Sequence, residues 1–119
     1  MSTAANIVVA LVALIHVYIL VLEMFLWDKP TGLRAFGQTL QAATVSKVLA
    51  ANQGLYNGFL AAGLIWSLML GASGRPVTLF FLGCVVVAGV YGAITAVRKI
   101  LYVQALPAAV AVAAVLLLG

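Results

Sequence analysis

Four long apolar runs dominate the chain, and short polar interruptions separate them. A bilayer hydrocarbon core about 30 Å thick takes roughly 20 residues of helix. The runs at about 5–27, 48–70, 77–97 and 100–118 all meet that length. Their ends have local causes. Asp28-Lys29-Pro30 closes the first run with charge and a ring that cannot continue a helix. The cluster from Gly71 to Pro76 reads as a turn. Arg98-Lys99 marks a connection so tight that the third and fourth helices must be antiparallel neighbours. The only sizeable polar stretch is about 31–46, where Leu33, Phe36 and Leu40 recur at helical spacing. That spacing predicts a short amphipathic helix at the membrane interface. The expected fold is therefore all-α: a four-transmembrane-helix bundle, one domain over 1–119, with an interfacial helix between the first and second spans.

Composition strengthens this picture. Of 119 residues, 66% are hydrophobic and 7% charged, too few polar side chains to cover a soluble surface. Residues Met1 to Asn6 carry no charged side chain, and the run behind them is longer than a signal-peptide core, so a retained transmembrane helix is expected. The six basic residues are too scattered for nucleic-acid binding. They carry a topology signal instead. Lys29, Arg34, Lys47, Arg98 and Lys99 lie in the first and third connections, against Arg75 alone in the second. The positive-inside rule then puts the first and third connections in the cytoplasm and both termini outside it. Trp27 and Trp66 fall near opposite interfaces. Cys84 is the single cysteine, so an intramolecular disulfide is excluded.

Polar side chains inside spans are costly and tend to face the bundle interior. They are few: His16 and Glu23 on the first helix; Asn52, Gln53, Tyr56 and Asn57 on the second; Tyr91 and Thr95 on the third; Gln104 on the fourth. Counted by helical rise, Glu23 sits about 6 Å inside the cytoplasmic end of its helix. The others except His16 also collect in the cytoplasmic half. His16 and Glu23, seven residues apart, point the same way to within about 20°. Asn52 with Tyr56, and Gln53 with Asn57, form one polar arc. Gly54, Gly58 and Ala62 make a small-residue stripe on the far side of that helix, and Cys84, Ala88, Gly92 and Ala96 make another on the third helix. Pro107 should free the carbonyl of Val103 and kink the fourth helix beside Gln104. The pattern predicts a polar cavity in the cytoplasmic half, floored by His16, with His16, Glu23, Asn52, Gln53, Tyr56, Asn57, Tyr91 and Gln104 as candidate ligand-binding or proton-carrying residues.

Each residue also has a structural reading. His16 can be a hydrogen-bonded core residue, Glu23 can pair with Arg98 or Lys99, and the arc can serve only as interhelical glue. One His and one Glu do not complete a metal site, so no metal and no cofactor are expected.

Two stretches carry a family resemblance. Residues 14–27, from Leu14-Ile15-His16 through Glu23 to Trp27, form the first. Residues 50–63, with Asn52-Gln53-Gly54-Leu55-Tyr56-Asn57-Gly58 at their centre, form the second. Together with Tyr91-Gly92 and Gln104-Ala105-Leu106-Pro107 they resemble a small bacterial membrane family, domain of unknown function 1304. The resemblance implies a four-helix inner-membrane protein and marks these His, Glu, Asn, Gln and Tyr positions as motif residues. It implies no activity. Three functions fit the residues. The first is a binder or transporter of a small organic molecule, proton-coupled through Glu23 and working as a homodimer. The second is an intramembrane acid–base enzyme acting on a lipid-like substrate through His16 and Glu23. The third is an accessory membrane subunit.

Overall fold

The computed structural model describes residues 1–119 and contains helices and no strand. In chain order these are α1 (Thr3–Met24), α2 (Pro30–Phe36), α3 (Leu40–Met69), α4 (Arg75–Thr95) and α5 (Leu106–Leu118). A 3-10 turn at Gly71–Gly74 precedes α4, and a π turn at Leu101–Ala105 precedes α5.

The polar interruptions act where local chemistry requires. Pro30 opens α2, where its fixed φ suits the first turn and its missing N–H is not needed. Gly37 ends α2 in the left-handed region, φ 60°, which a side chain would resist, and its N–H caps the Leu33 carbonyl. Two residues later Thr39 starts α3, with its Oγ1 accepting the Ala42 N–H at 3.1 Å. No proline or glycine lies between Leu40 and Val48, so the helix runs straight through what the sequence pattern assigns to an interfacial segment. The expected interfacial helix over 31–46 is thus only the seven residues of α2, and α3 starts eight residues earlier than expected.

Three helical segments are long and apolar enough to cross a membrane: Thr3–Met24, Gly71–Thr95 and Leu101–Leu118. The fourth expected span, at about 48–70, is not among them. The 30 residues of α3 give ample length, but Asn52, Gln53 and Asn57 dilute its apolar content.

The chain divides into two compact units, and α1 and α3 each contribute to both. One unit comprises Met1–Ile15 with Leu60–Gly119. Its core is built from Val9, Val12, Leu64, Leu82, Val85 and Val115, filled between by alanines. Burying such side chains contributes roughly 1.5–3 kcal/mol each in water; for helices surrounded by lipid, which is nearly as apolar as leucine, close packing supplies more of the stability. On α4 the buried positions are Thr78, Leu82, Val85 and Gly89, one face at helical spacing. Of the stripe expected to pack, Cys84, Ala88 and Ala96 lie beside that face, while a Cβ on Gly92 would meet Ile100 Cγ2 at 3.2 Å. A Cβ on Gly89 would meet the Ala105 amide nitrogen at 2.6 Å, so the glycine makes room for the π turn.

That turn follows from Pro107. Proline has no N–H for the Val103 carbonyl, and its ring crowds the preceding turn. The Leu106 N–H bonds to the Leu101 carbonyl, five residues back, and the helix widens around Gln104.

A second polar feature of this unit joins α3 to α4. Ser67 and Thr78 are fully buried. Thr78 Oγ1 lies 2.8 Å from Ser67 Oγ and 3.0 Å from the Gly74 carbonyl. The Ser67 hydroxyl donates to the Leu64 carbonyl at 2.6 Å. Both hydroxyls are satisfied locally, as an apolar surrounding demands.

The other unit, His16–Phe59, holds the end of α1, all of α2 and the first two thirds of α3.

Candidate functional site

Glycine brings α1 and α3 together in the His16–Phe59 unit. A Cβ on Gly54 would lie 2.6 Å from Met24 Cγ, 3.1 Å from Glu23 Cβ and 3.3 Å from the Leu20 carbonyl oxygen. A Cβ on Gly58 would meet Leu20 Cδ1 at 2.6 Å. Without side chains at these positions the helix backbones approach closely. Gly54 and Gly58 of the stripe expected on the far side of α3 therefore face α1 and share that side with Asn57, whereas its third member, Ala62, is exposed.

The close approach places the one acidic residue of α1 against an amide. Asn57 donates from Nδ2 to Glu23 Oε1 at 2.6 Å. Its other N–H points to the Gln53 carbonyl, one turn back, at 3.2 Å. Two acceptors on one nitrogen settle the orientation of the amide. Glu23 is partly buried, and a hydrogen bond to a carboxylate in such a site is shorter and stronger than a neutral one. Oε1 is engaged, while Oε2 is the oxygen left to take a proton or a cationic group.

A clasp closes the same unit at the end of α1. Trp27 Nε1 donates to Ser46 Oγ at 3.1 Å, and Lys47 Nζ donates to Asp28 Oδ2 at 3.0 Å. Adjacent residues of one segment thus meet adjacent residues of α3. The Trp27 ring also packs on Phe36, with centroids 4.8 Å apart. The Lys47 hydrogen bond holds the Asp28 carboxyl below its ordinary value. Sequence reasoning missed the clasp and also the Ser67–Thr78 pair. The available signal was a Trp-Asp pair at the end of one helix and a Ser-Lys pair near the start of the next.

The other candidate residues are distributed as follows. His16 is fully buried. Asn52 is exposed and donates to its own Val48 carbonyl at 2.9 Å. Gln53 is exposed and offers Asn57 its backbone carbonyl. Tyr56 is exposed, with its ring 6.0 Å from that of Phe59. The arc on α3 is therefore split, and Asn57 is the member that meets Glu23. Tyr91 and Gln104 belong to the other unit. Tyr91 is 68% exposed and borders an open apolar groove along α4 with Phe80, Gly83, Cys84 and Val87. Gln104 sits partly buried in the π turn. No three His, Cys, Asp or Glu side chains converge, so no metal-ligand set is assembled.

Comparison with known proteins adds a family. The family model described as protein of unknown function (DUF1304) matches residues 10–116. The uncharacterised protein YpaA of Lactococcus lactis subsp. lactis (strain IL1403) is 32% identical over 96 residues, covering 79% of this chain and 81% of that protein. No solved structure matches.

Proposed function

The chain belongs to the DUF1304 family, and we propose that it is a four-span protein of the bacterial cytoplasmic membrane that binds a small organic molecule at Glu23. Binding, and any transport that follows, is coupled to a proton on that carboxyl. The observation that carries this reading is the hydrogen bond from Asn57 to Glu23 between two different helices.

The fourth span is α3. The Trp27–Ser46 bond sets residue 46 level with the end of α1. From there to Met69 the helix rises about 35 Å, enough to cross a core of about 30 Å. The amide of Asn57 is accommodated at depth because Glu23 accepts from it. The excess of basic residues in the first and third connections supports a cytoplasmic placement for both, with the termini outside.

The chemistry is competition at one carboxyl. Asn57 holds Oε1 and so fixes the position of the negative charge. Oε2 takes either a proton or a cationic group of a ligand, and binding one releases the other. An acidic side chain inside a membrane bundle is a functional candidate for this reason. His16 is fully buried, and that disfavours the enzymatic reading, in which it must reach a lipid-like substrate.

The test uses purified protein in nanodiscs, with tetraphenylphosphonium and a series of primary amines as probes. Calorimetric titration should show Kd tightening as pH rises, with a proton released on binding. Glu23→Gln should abolish the pH dependence and weaken binding at least about tenfold, the scale of a lost charge-assisted contact. Equal affinity in Glu23→Gln and wild type, or no binding of any probe, overturns the proposal.

A further inference from the structure

The exposed face of α3 carries a second pattern, distinct from the face that meets α1. Val45, Val48, Asn52, Leu55 and Phe59 alternate at spacings of three and four, and the same spacing continues to Met69. All of these are exposed, Val45 at 84%, Val48 at 77% and Met69 at 79%. Alternating steps of three and four repeat every seven residues, the period that keeps one seam of a helix facing a partner helix.

Lipid alone does not account for this face, because Asn52 lies in the middle of it. The level of Ser46 is set by Trp27, and Asn52 is six residues further in, about 9 Å by helical rise. Asn52 donates one N–H to its own Val48 carbonyl. That leaves its Oδ1 and its second N–H, on an exposed residue, without a partner in the chain. Gln53, also exposed, lies beside it. Acyl chains offer neither donors nor acceptors, so an amide at this depth gains by meeting another polar group.

We propose that α3 pairs with α3 of a second copy of this chain, in parallel, along the seam through Val48, Asn52, Leu55 and Phe59. The occupant is a second copy because the face is self-complementary. An amide is both donor and acceptor, so the open N–H of one Asn52 meets the open Oδ1 of the other across a two-fold axis. A single asparagine at such a position fixes register and favours two strands. The flanking Val48, Leu55 and Phe59 supply packing on either side. Both copies share one orientation in the membrane, which makes the two α3 helices parallel. This inference rests on the reading that α3 crosses the membrane.

The experiment is disulfide scanning in membrane vesicles, in a Cys84→Ala background that removes the native thiol. Single cysteines are placed at each position from 48 to 59 and oxidised with copper phenanthroline. Dimers should form at 48, 52, 55 and 59, and not at 54 or 57, which face α1. Fluorescence energy transfer in liposomes should show a monomer–dimer equilibrium that Asn52→Ala weakens about three- to thirty-fold, the range of an interhelical amide bond in membranes. Cross-links absent throughout, cross-links without the seven-residue period, or an equilibrium unmoved by Asn52→Ala each overturn the pairing. A separate control isolates the premise. Thr39→Cys and Ser73→Cys should react with an impermeant maleimide from opposite sides of the vesicle. Labelling from one side removes the crossing and the pairing together, whereas opposite labelling without cross-links removes the pairing alone.

Discussion

Two glycines on α4 make a matched pair for testing how α4 and α5 hold together. A Cβ added at Gly89 would lie 2.6 Å from the Ala105 nitrogen, 2.7 Å from its Cβ and 2.9 Å from its Cα. Two of those are backbone atoms, which no rotamer change moves aside. Ordinary contact begins at 3.4 Å, so the π turn that leads into α5 must retreat by most of an ångström. At Gly83 nothing lies within 4 Å of the same added carbon. Both residues are inside the helix, so replacing either with alanine removes the same intrinsic helix penalty of about 1 kcal/mol. Overpacking of a fitted contact costs about 1–3 kcal/mol. Gly83→Ala should therefore raise stability by up to about 1 kcal/mol. Gly89→Ala should fall below it by about 1–3 kcal/mol, the overpacking cost alone, because the propensity gain cancels in the comparison. The assay is SDS titration in mixed micelles, followed by circular dichroism, with both variants and the parent measured side by side. If the two variants match within about 0.5 kcal/mol, the limit at which independent effects are resolved, the reasoning about the α4–α5 contact is wrong.

Two further outcomes are expected. Ser67→Ala and Thr78→Val should each cost about 0.5–2 kcal/mol in the same titration, because each leaves a buried hydroxyl or carbonyl short of a partner. The double variant should cost less than the two together, and strict additivity would show that the hydroxyls are not coupled. The Asp28 carboxyl is held low chiefly by the Lys47 hydrogen bond. A depressed folded value means that this contribution is present above the unfolded value near 3.9 and is lost as pH falls through the folded one. Lys47→Met should raise the Asp28 midpoint read by carbon-13 NMR towards the ordinary value, and an unmoved midpoint would refute the pairing.

The features legible in the sequence were those with local causes. Asp28-Lys29-Pro30 and the run from Gly71 to Pro76 end and start helices through charge, a ring and missing side chains, none of which needs a tertiary partner. Pro107 likewise perturbs its own helix, and the π turn around Gln104 is the form that disturbance takes. The early start of α3 was also written locally, in Gly37 and Thr39, but the apolar pattern outweighed it. A left-handed glycine followed by a capping threonine is a stop and a restart, and hydropathy does not register either. The clasp from Trp27 and Asp28 to Ser46 and Lys47 depends on how α2 turns the chain back, a distance in space that periodicity does not supply.

Which face of each helix turns inward was the least legible feature, and the reason is the solvent. In water an apolar stripe identifies the buried side of a helix, but in lipid both sides are apolar and the stripe loses its meaning. Periodicity then locates only the exceptions, small and polar residues, without saying what they face. On α4 this led to a stripe in which Cys84 and Ala88 border an open groove and Gly92 lies against Ile100, when Gly89, off that stripe, makes the tighter contact. On α3 it merged Asn52 and Asn57 into one arc, although five residues of helix turn them about 140° apart. Asn57 lies on the glycine side, against Glu23, and Asn52 lies on the exposed seam. The two asparagines therefore belong to separate features of one helix. Asn57→Ala should disturb binding at Glu23 and leave self-association intact, while Asn52→Ala should do the reverse. A single variant that abolished both would mean that the arc acts as one surface after all, with the second copy completing the site.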